Sequence, residues 1–547
     1  MIFLSSRLLP LCVALFLLTL SIDSVACSGR LHIEVRDAGV YALDYAAIVA
    51  QQPGLADCAS DDLVLRNHGK EVAMRVRDDG GNRFAAGSRI EWIGQPLHGP
   101  QSWYAQYSPV NVYLLAAEPG AHARMRAAPA DSATAAKPAS LRRTQHFEQE
   151  NLMLRLNGSE MKPGDEPDVW QWAKLTPIDA QPFTYDFDLA DVDLTRTPAN
   201  ADAALTLNFR GVSNVVAVPN ASKPVDHVVE VVLNGKPLSN IEWDGRNEMR
   251  KVLSVAPGLL REHGNSISLR VPRRAAPADP QNFIVDVAMF NWLEVSYPVR
   301  GNLAASSAPF TATAAAPIEL SDSATTNPQL YGSDGVLRTM SPLGGERFRA
   351  ASAGAGVDLY PLRNDQALSP VLVRPVADGD LRTNAADYLI VAHPRLLQAI
   401  QPLAQYHREH GHKVAVIDVD DIYDQFNDGI IHPVAIRSLV AWGTQHWATK
   451  PRYLLLVGDA STDVNHDVRN GRLTGSSYQL TPQALPNQVL TGDGFREMLT
   501  YAYDRQLPNR NLIPTWQFPT PEGQSASDND FATMKAGDFH PTLAVGR

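Results

Sequence analysis

The feature that most constrains this chain is a change of period at Asp387. Upstream of it, apolar residues alternate with polar ones in short runs broken by turn signals, the pattern of half-buried strands. Downstream, Tyr388–Ala392 is an unbroken apolar strand. Pro394–Glu409 then carries Leu396, Leu397, Ile400, Leu403 and Ala404 at helical spacing, and Gly411 ends that helix. Val414–Val419 reads as a second buried strand, and Pro433 opens a helix with Ile436, Leu439, Val440 and Trp447. Tyr453–Val457 is a third strand. Strand, helix, strand, helix, strand with short connections predicts an open parallel α/β sheet with right-handed crossovers. Ligands of such sheets bind beyond the carboxyl ends of the strands. That rule places His393, the Asp418–Asp421 run and Asp459 at the edge where chemistry is expected.

The rest of the chain reads as several β-rich units. Residues 27–118 predict a small β-domain, with strands near Leu31–Val35, Leu63–Arg66, Val72–Val76, Arg89–Ile93 and Val110–Leu115. Residues 119–149 read as an Ala/Pro-rich linker. Residues 150–300 predict a jelly-roll-like β-sandwich with a hairpin at Asn234–Gly235. Residues 301–384 read as a β-rich connector, and 385–547 as the α/β domain.

Residues 1–26 read as a signal peptide: Arg7 precedes the apolar run Leu8–Leu20, and Ser24 and Ala26 frame a cleavage site. The run is too short to span a bilayer, so no transmembrane span is expected after cleavage. The chain is therefore expected to be exported, secreted or held at a bacterial-type cell surface or in a periplasm. Export leaves Cys27 and Cys58, an even number in an oxidising compartment, for which a disulfide is the expected state and two unpaired thiols the alternative. Lys and Arg number 48 against 59 Asp and Glu, a net charge of −11, so no global basic field exists for nucleic acid.

Several phrases, taken in order, carry a family resemblance. They are Asp387–Ala392, Ile400–Ala404, His410–Val414, Asp421–Phe426, Tyr453–Asp459, Asn511–Thr515, Ser527–Asp530 and Leu543–Arg547. Together they resemble the catalytic domain of the gingipain family of secreted cysteine peptidases. Looser phrases nearer the N-terminus, such as Leu63–Val72 and Arg89–Gly94, are similar to the region preceding that domain in larger family members. The resemblance implies a partial caspase-like parallel-sheet domain that hydrolyses protein or peptide substrates through a Cys thiolate and a His. In the family both residues follow the Val545–Gly546–Arg547 phrase, and no Cys occurs here after Cys58. No catalytic residue is thus assigned within this chain, which is expected to be an inactive fragment of a longer peptidase, with a truncated product as the alternative. The resemblance also implies structural calcium, with Asp538 the best match and Asp528 and Asp530 as companion oxygen donors; turn and cap carboxylates are the plainer reading. No organic cofactor is expected.

Other clusters have ordinary readings. Asp418, Asp420, Asp421, Asp424 and Asp428 read as solvated or helix-capping carboxylates, with a calcium site as the alternative, and His407, His410 and His412 as surface-helix residues without a further ligand. Asp459 either lines the active edge or holds loop amides, and the long polar segment 471–526 reads as a shaper of the substrate cleft. Trp170, Trp172, Trp243 and Trp292 read as core, with a sugar-stacking platform as the alternative. The sequon at Asn157 carries no weight without a known compartment. Two other function classes remain open at this point: a non-catalytic secretion or surface-assembly factor, and a carbohydrate-binding sandwich.

Overall fold

The computed structural model describes residues 27–547 except 129–135, 155, 157–164, 195–202, 217–221, 257, 278, 280, 324–327, 461–472, 476–477, 481–510, 521–522 and 535–539. The signal-peptide reading, the Asn157 sequon and Asp538 lie outside the described residues. The molecule is strand-rich and multidomain: β-rich units, among them a jelly-roll-like sandwich, precede a parallel α/β sheet.

In the first unit, Arg30–Val35 lies antiparallel to Asn111–Ala117, which pairs in turn with Leu63–Asn67. Leu31, Ile33 and Val35 alternate into a core with Trp92, Tyr113 and Phe84, while His32 points to the opposite face, as the period of two requires. A disulfide joins Cys27 to the buried Cys58, with Cα atoms 5.5 Å apart. It ties the start of the first strand to that core.

The sandwich buries Leu205, Leu207 and Phe209 of one sheet against Val229, Val231, Leu233, Ile267 and Leu269 of the other. Its hairpin turns at Asn234 and Gly235, both with positive φ, and returns with Leu233 opposite Lys236. The stretches read as linker and connector both enter sheets. Leu141–Glu148 pairs with Ala288–Val299 in the sandwich. Phe310–Ala312 pairs with the same Leu141 strand on its other edge and leads the sheet on through Asp358–Leu362. Leu372–Pro375 adds to Arg30–Val35 of the first unit. Polar side chains dominate Leu141–Glu148, and the other three strands run only three to five residues, so alternation alone hides them.

In the last unit, Val414–Asp418, Tyr388–Ala392, Tyr453–Val457 and Ala544–Gly546 lie side by side in that order, all parallel. The sheet therefore grows first to one side of Tyr388–Ala392 and then to the other, which creates a switch point. Helices Gln401–Glu409, Val419–Phe426 and Pro433–His446 accompany it. Leu389, Val391, Ile417, Ile422, Ile436, Leu439, Leu454 and Leu456 form its core. Val419 begins a helix rather than ending a strand, because the Asp418 carboxylate accepts the Asp420 amide at 2.9 Å and caps the turn. Among the described residues, no helix is long and apolar enough to cross a membrane.

Candidate active edge of the parallel sheet

The switch point sets the geometry of the carboxyl edge. The first and third strands end side by side at Ala392 and Val457, and the His393 amide donates to the Val457 carbonyl at 3.1 Å. Pro394 follows and opens a single helical turn, whose Arg395 amide donates to His393 Nδ1 at 3.3 Å. That bond needs an unprotonated nitrogen, and burial lowers the His393 pKa accordingly. Beyond the third strand, the Asp459 carbonyl accepts the amides of Leu512 and Ile513 at 2.9 and 3.1 Å, while its carboxylate accepts from Ala460. Asp459 therefore holds loop amides at the edge.

Arg547 gathers this edge. Its guanidinium donates to the Gly458 carbonyl at 2.6 Å and the Ile513 carbonyl at 2.9 Å, and forks onto both oxygens of Asp528 at 2.8 Å. Burial works against ionisation of Asp528, but the Arg547 bonds outweigh it and lower its pKa. Gly458 sits where an added Cβ would lie 2.9 Å from Ile513, so the loop can close on the strand end only over glycine.

These contacts decide how the calcium reading of Asp528 and Asp530 fits. Both Asp528 oxygens are committed to a guanidinium, and the one described carboxylate trio close enough for a shared cation lies elsewhere in the chain. The donors described at Asp528 and Asp530 do not fit a calcium ion, and no step is derived through one there.

The acidic cluster divides. Asp418 caps a helix, and burial pushes its pKa up to about 6. Burial also raises Asp420 and Asp421. Asp424 differs, being buried in an ion pair with the N-terminal unit: Arg374 donates to its two oxygens at 2.7 and 3.1 Å, and His32 Nδ1 lies 2.7 Å away. The expectation of a solvated carboxylate fails at Asp424 because Arg30–Val35 and Leu372–Pro375 cover its helix. Gly429, with φ of +84°, lets this contact close, since a Cβ there would meet Val112 at 2.5 Å and His32 at 2.9 Å.

Among the described residues, His407, His410 and His412 form no metal cluster. His412 Nδ1 bonds Asp387 at 2.9 Å, His407 stacks on Tyr388 at 4.0 Å, and His410 bonds the Tyr406 carbonyl. Trp172 and Trp243 are buried in the sandwich core, so the four sandwich tryptophans do not make a solvent-facing platform. Much of 471–526 lies outside the described residues; within it Trp516–Thr520 pairs with Gly523–Ser527, and Arg437 lies over the Trp516 ring.

Strand order, flanking helices and a polar carboxyl edge define the C-terminal unit as a caspase-like α/β domain. Residues 382–547 match the model of peptidase family C25, the gingipain family, so the resemblance read from the sequence holds over this domain. No curated protein matches the chain. Among solved structures, the chain is similar over 96% of its length to dimeric latent PorU from Porphyromonas gingivalis, with 14% identity and a TM-score of 0.58. It covers 48% of that protein and so spans about half its length. A carbohydrate-binding module, CBM36 in complex with calcium and xylotriose, matches 28% of this chain and 98% of its own at 13% identity. Its TM-score of 0.16 is too low to carry an argument.

Proposed function

We propose that residues 27–547 are the scaffold portion of an exported, gingipain-like cysteine endopeptidase acting on protein substrates. The observation that carries this reading is the family match over 382–547 on a parallel sheet whose switch point presents His393, Asp418 and Asp459 together. Of the three cysteines, Cys12 lies in the predicted signal peptide and Cys27 and Cys58 are bonded to each other. The thiolate that cysteine proteolysis needs is therefore supplied by a residue outside 1–547 in this reading, and the family resemblance implies the same of its partner imidazole. His393 and Asp418 shape the edge and do not act as the nucleophilic pair.

The test compares the full-length gene product with the 27–547 chain on a peptide library, before and after thiol alkylation. The full-length product is expected to cleave and to lose cleavage on alkylation, and the shorter chain to cleave nothing. Cleavage that survives alkylation overturns the thiol mechanism. The lack of any free thiol between Cys27 and Arg547 favours a second reading, a non-catalytic secretion or surface-assembly factor. That reading is chosen if the full-length product cleaves nothing in either thiol state.

A further inference from the structure

The sandwich holds a second group of carboxylates, remote in sequence from those read as calcium donors. Glu148 ends the Leu141–Glu148 strand, Glu150 follows it, and Asp168 precedes the short strand Trp170–Gln171. One oxygen from each lies within 4.8 Å of the others. That spacing is what a shared cation at roughly 2.4 Å from every oxygen requires. Like charges this close repel, and burial sharpens the cost. The Glu148 side chain is fully buried. Its Oε2 meets His146 at 2.9 Å, yet its Oε1 has no hydrogen-bond partner among the described residues.

A second observation points to a ligand. Gln171 is 2% exposed and Asn291 3% exposed. Both amides are held by their nitrogens on Asp168: Asn291 Nδ2 donates to the Asp168 carboxylate at 2.9 Å, and Gln171 Nε2 to the Asp168 carbonyl at 3.3 Å. Their oxygens are buried and have no donor among the described residues. Buried acceptors are normally satisfied, and each exception calls for an explanation. Here three acceptors lack a donor around one carboxylate trio. A single cation answers all three.

We propose that Glu148, Glu150 and Asp168, with the side-chain carbonyls of Gln171 and Asn291, form a calcium site on the β-sandwich. Five oxygens with no nitrogen or sulfur donor suit a hard cation. Completing a shell of six to eight with water is ordinary for calcium, whereas magnesium demands a tighter octahedron. The ion joins the end of one sheet strand to Asn291 on its neighbour, Ala288–Val299, and to the segment carrying Asp168. Two residues before Asp168, Glu166 bonds His432 of the α/β domain at 2.8 Å. Calcium thus stiffens the arm that reaches the family C25 domain, without taking part in its chemistry.

The test uses the mature 27–547 chain, stripped with EDTA and titrated with Tb3+ and then Ca2+. Trp170 and Trp292 flank Gln171 and Asn291 and serve as sensitisers. One saturable terbium signal per chain is expected, displaced by Ca2+ but not by equal Mg2+, with a calcium-dependent rise in Tm. Asp168→Asn and Glu150→Gln should each weaken binding by roughly tenfold or more, while Asp528→Asn leaves it unchanged. A stripped wild-type chain showing neither a terbium signal nor a Tm shift overturns the proposal. So does binding that persists unchanged in both sandwich variants, or that disappears in Asp528→Asn alone.

Discussion

Two carboxylates in this molecule, Asp424 buried and Asp168 half-buried, meet opposite circumstances. Asp424, between the N-terminal unit and the α/β domain, is given a forked guanidinium from Arg374 and an imidazole from His32. Burial favours its neutral form, but the His32 and Arg374 bonds outweigh that, and its pKa is lowered. Asp168, in the sandwich, has no cationic side chain bonded to it among the described residues. Burial and the nearby Glu148 push its pKa up to about 8. The same desolvation is offset by the protein's own cations in one place and left standing in the other. What the protein does not supply internally it is built to take from solution.

Breaking the satisfied pair has the largest expected effect. Arg374→Ala leaves the Asp424 charge buried and should destabilise the contact between units by about 3 kcal/mol. Scanning calorimetry, with proteolysis across the 376–386 segment, reads it out; a Tm within a degree of wild type shows that the pair does not hold the units together. The unsatisfied site should respond with the opposite sign. A raised folded pKa means that Asp168 costs stability above the free-carboxylate value of about 3.9, increasingly up to its own value. In calcium-free buffer near pH 8, Asp168→Asn should therefore gain about 2 kcal/mol. With calcium present the same substitution should lose Tm, and a gain in both buffers would sever the comparison.

Titration sharpens it further. Burial opposes protonation of His32, but its bonds to Asp424 and Glu34 outweigh this and raise its pKa. Its stabilising contribution is complete below the free-histidine value of about 6.5 and is lost as pH rises through the raised value. Asp424, with a lowered pKa, keeps its contribution above about 3.9 and loses it only as pH falls through the lowered value. The contact should hold best between these limits and weaken as pH rises above about 6.5 and through the raised His32 value. His32→Gln should flatten that slope in thermal melts; an unchanged slope assigns it to another group.

The sequence disclosed the α/β domain well because its signals are local. Tyr388–Ala392 and Tyr453–Val457 appear at the residues read, and Gly411 ends its helix as expected. It disclosed the two carboxylate sites poorly because neither is local. Asp424 reads as a helix carboxylate like its neighbours until a strand nearly 400 residues earlier covers it. Glu148 falls in a stretch whose polar strand, Leu141–Glu148, resembles a linker, Glu150 lies just beyond it, and Asn291 joins Asp168 from 123 residues away. A Glu-x-Glu at a strand end was the one local signal, and alone it is too common to mean anything. Asp528 pairs with Arg547, a contact that spacing in the chain does not reveal.

A third buried polar group receives neither a partner nor an apparent ligand. Tyr423 is 2% exposed, and its hydroxyl has no hydrogen-bond partner among the described residues. Burial raises its pKa, and Asp420, Asp418 and Arg547 all act on it electrostatically, so it belongs to the carboxyl edge of the sheet. A hydroxyl buried without a partner costs about 1 kcal/mol or more. If Tyr423 is only packed, Tyr423→Phe should raise the stability of the 27–547 chain by up to about 1 kcal/mol, the smallest effect considered. Unchanged stability would place Tyr423 outside the comparison, as a hydroxyl whose burial carries no net cost.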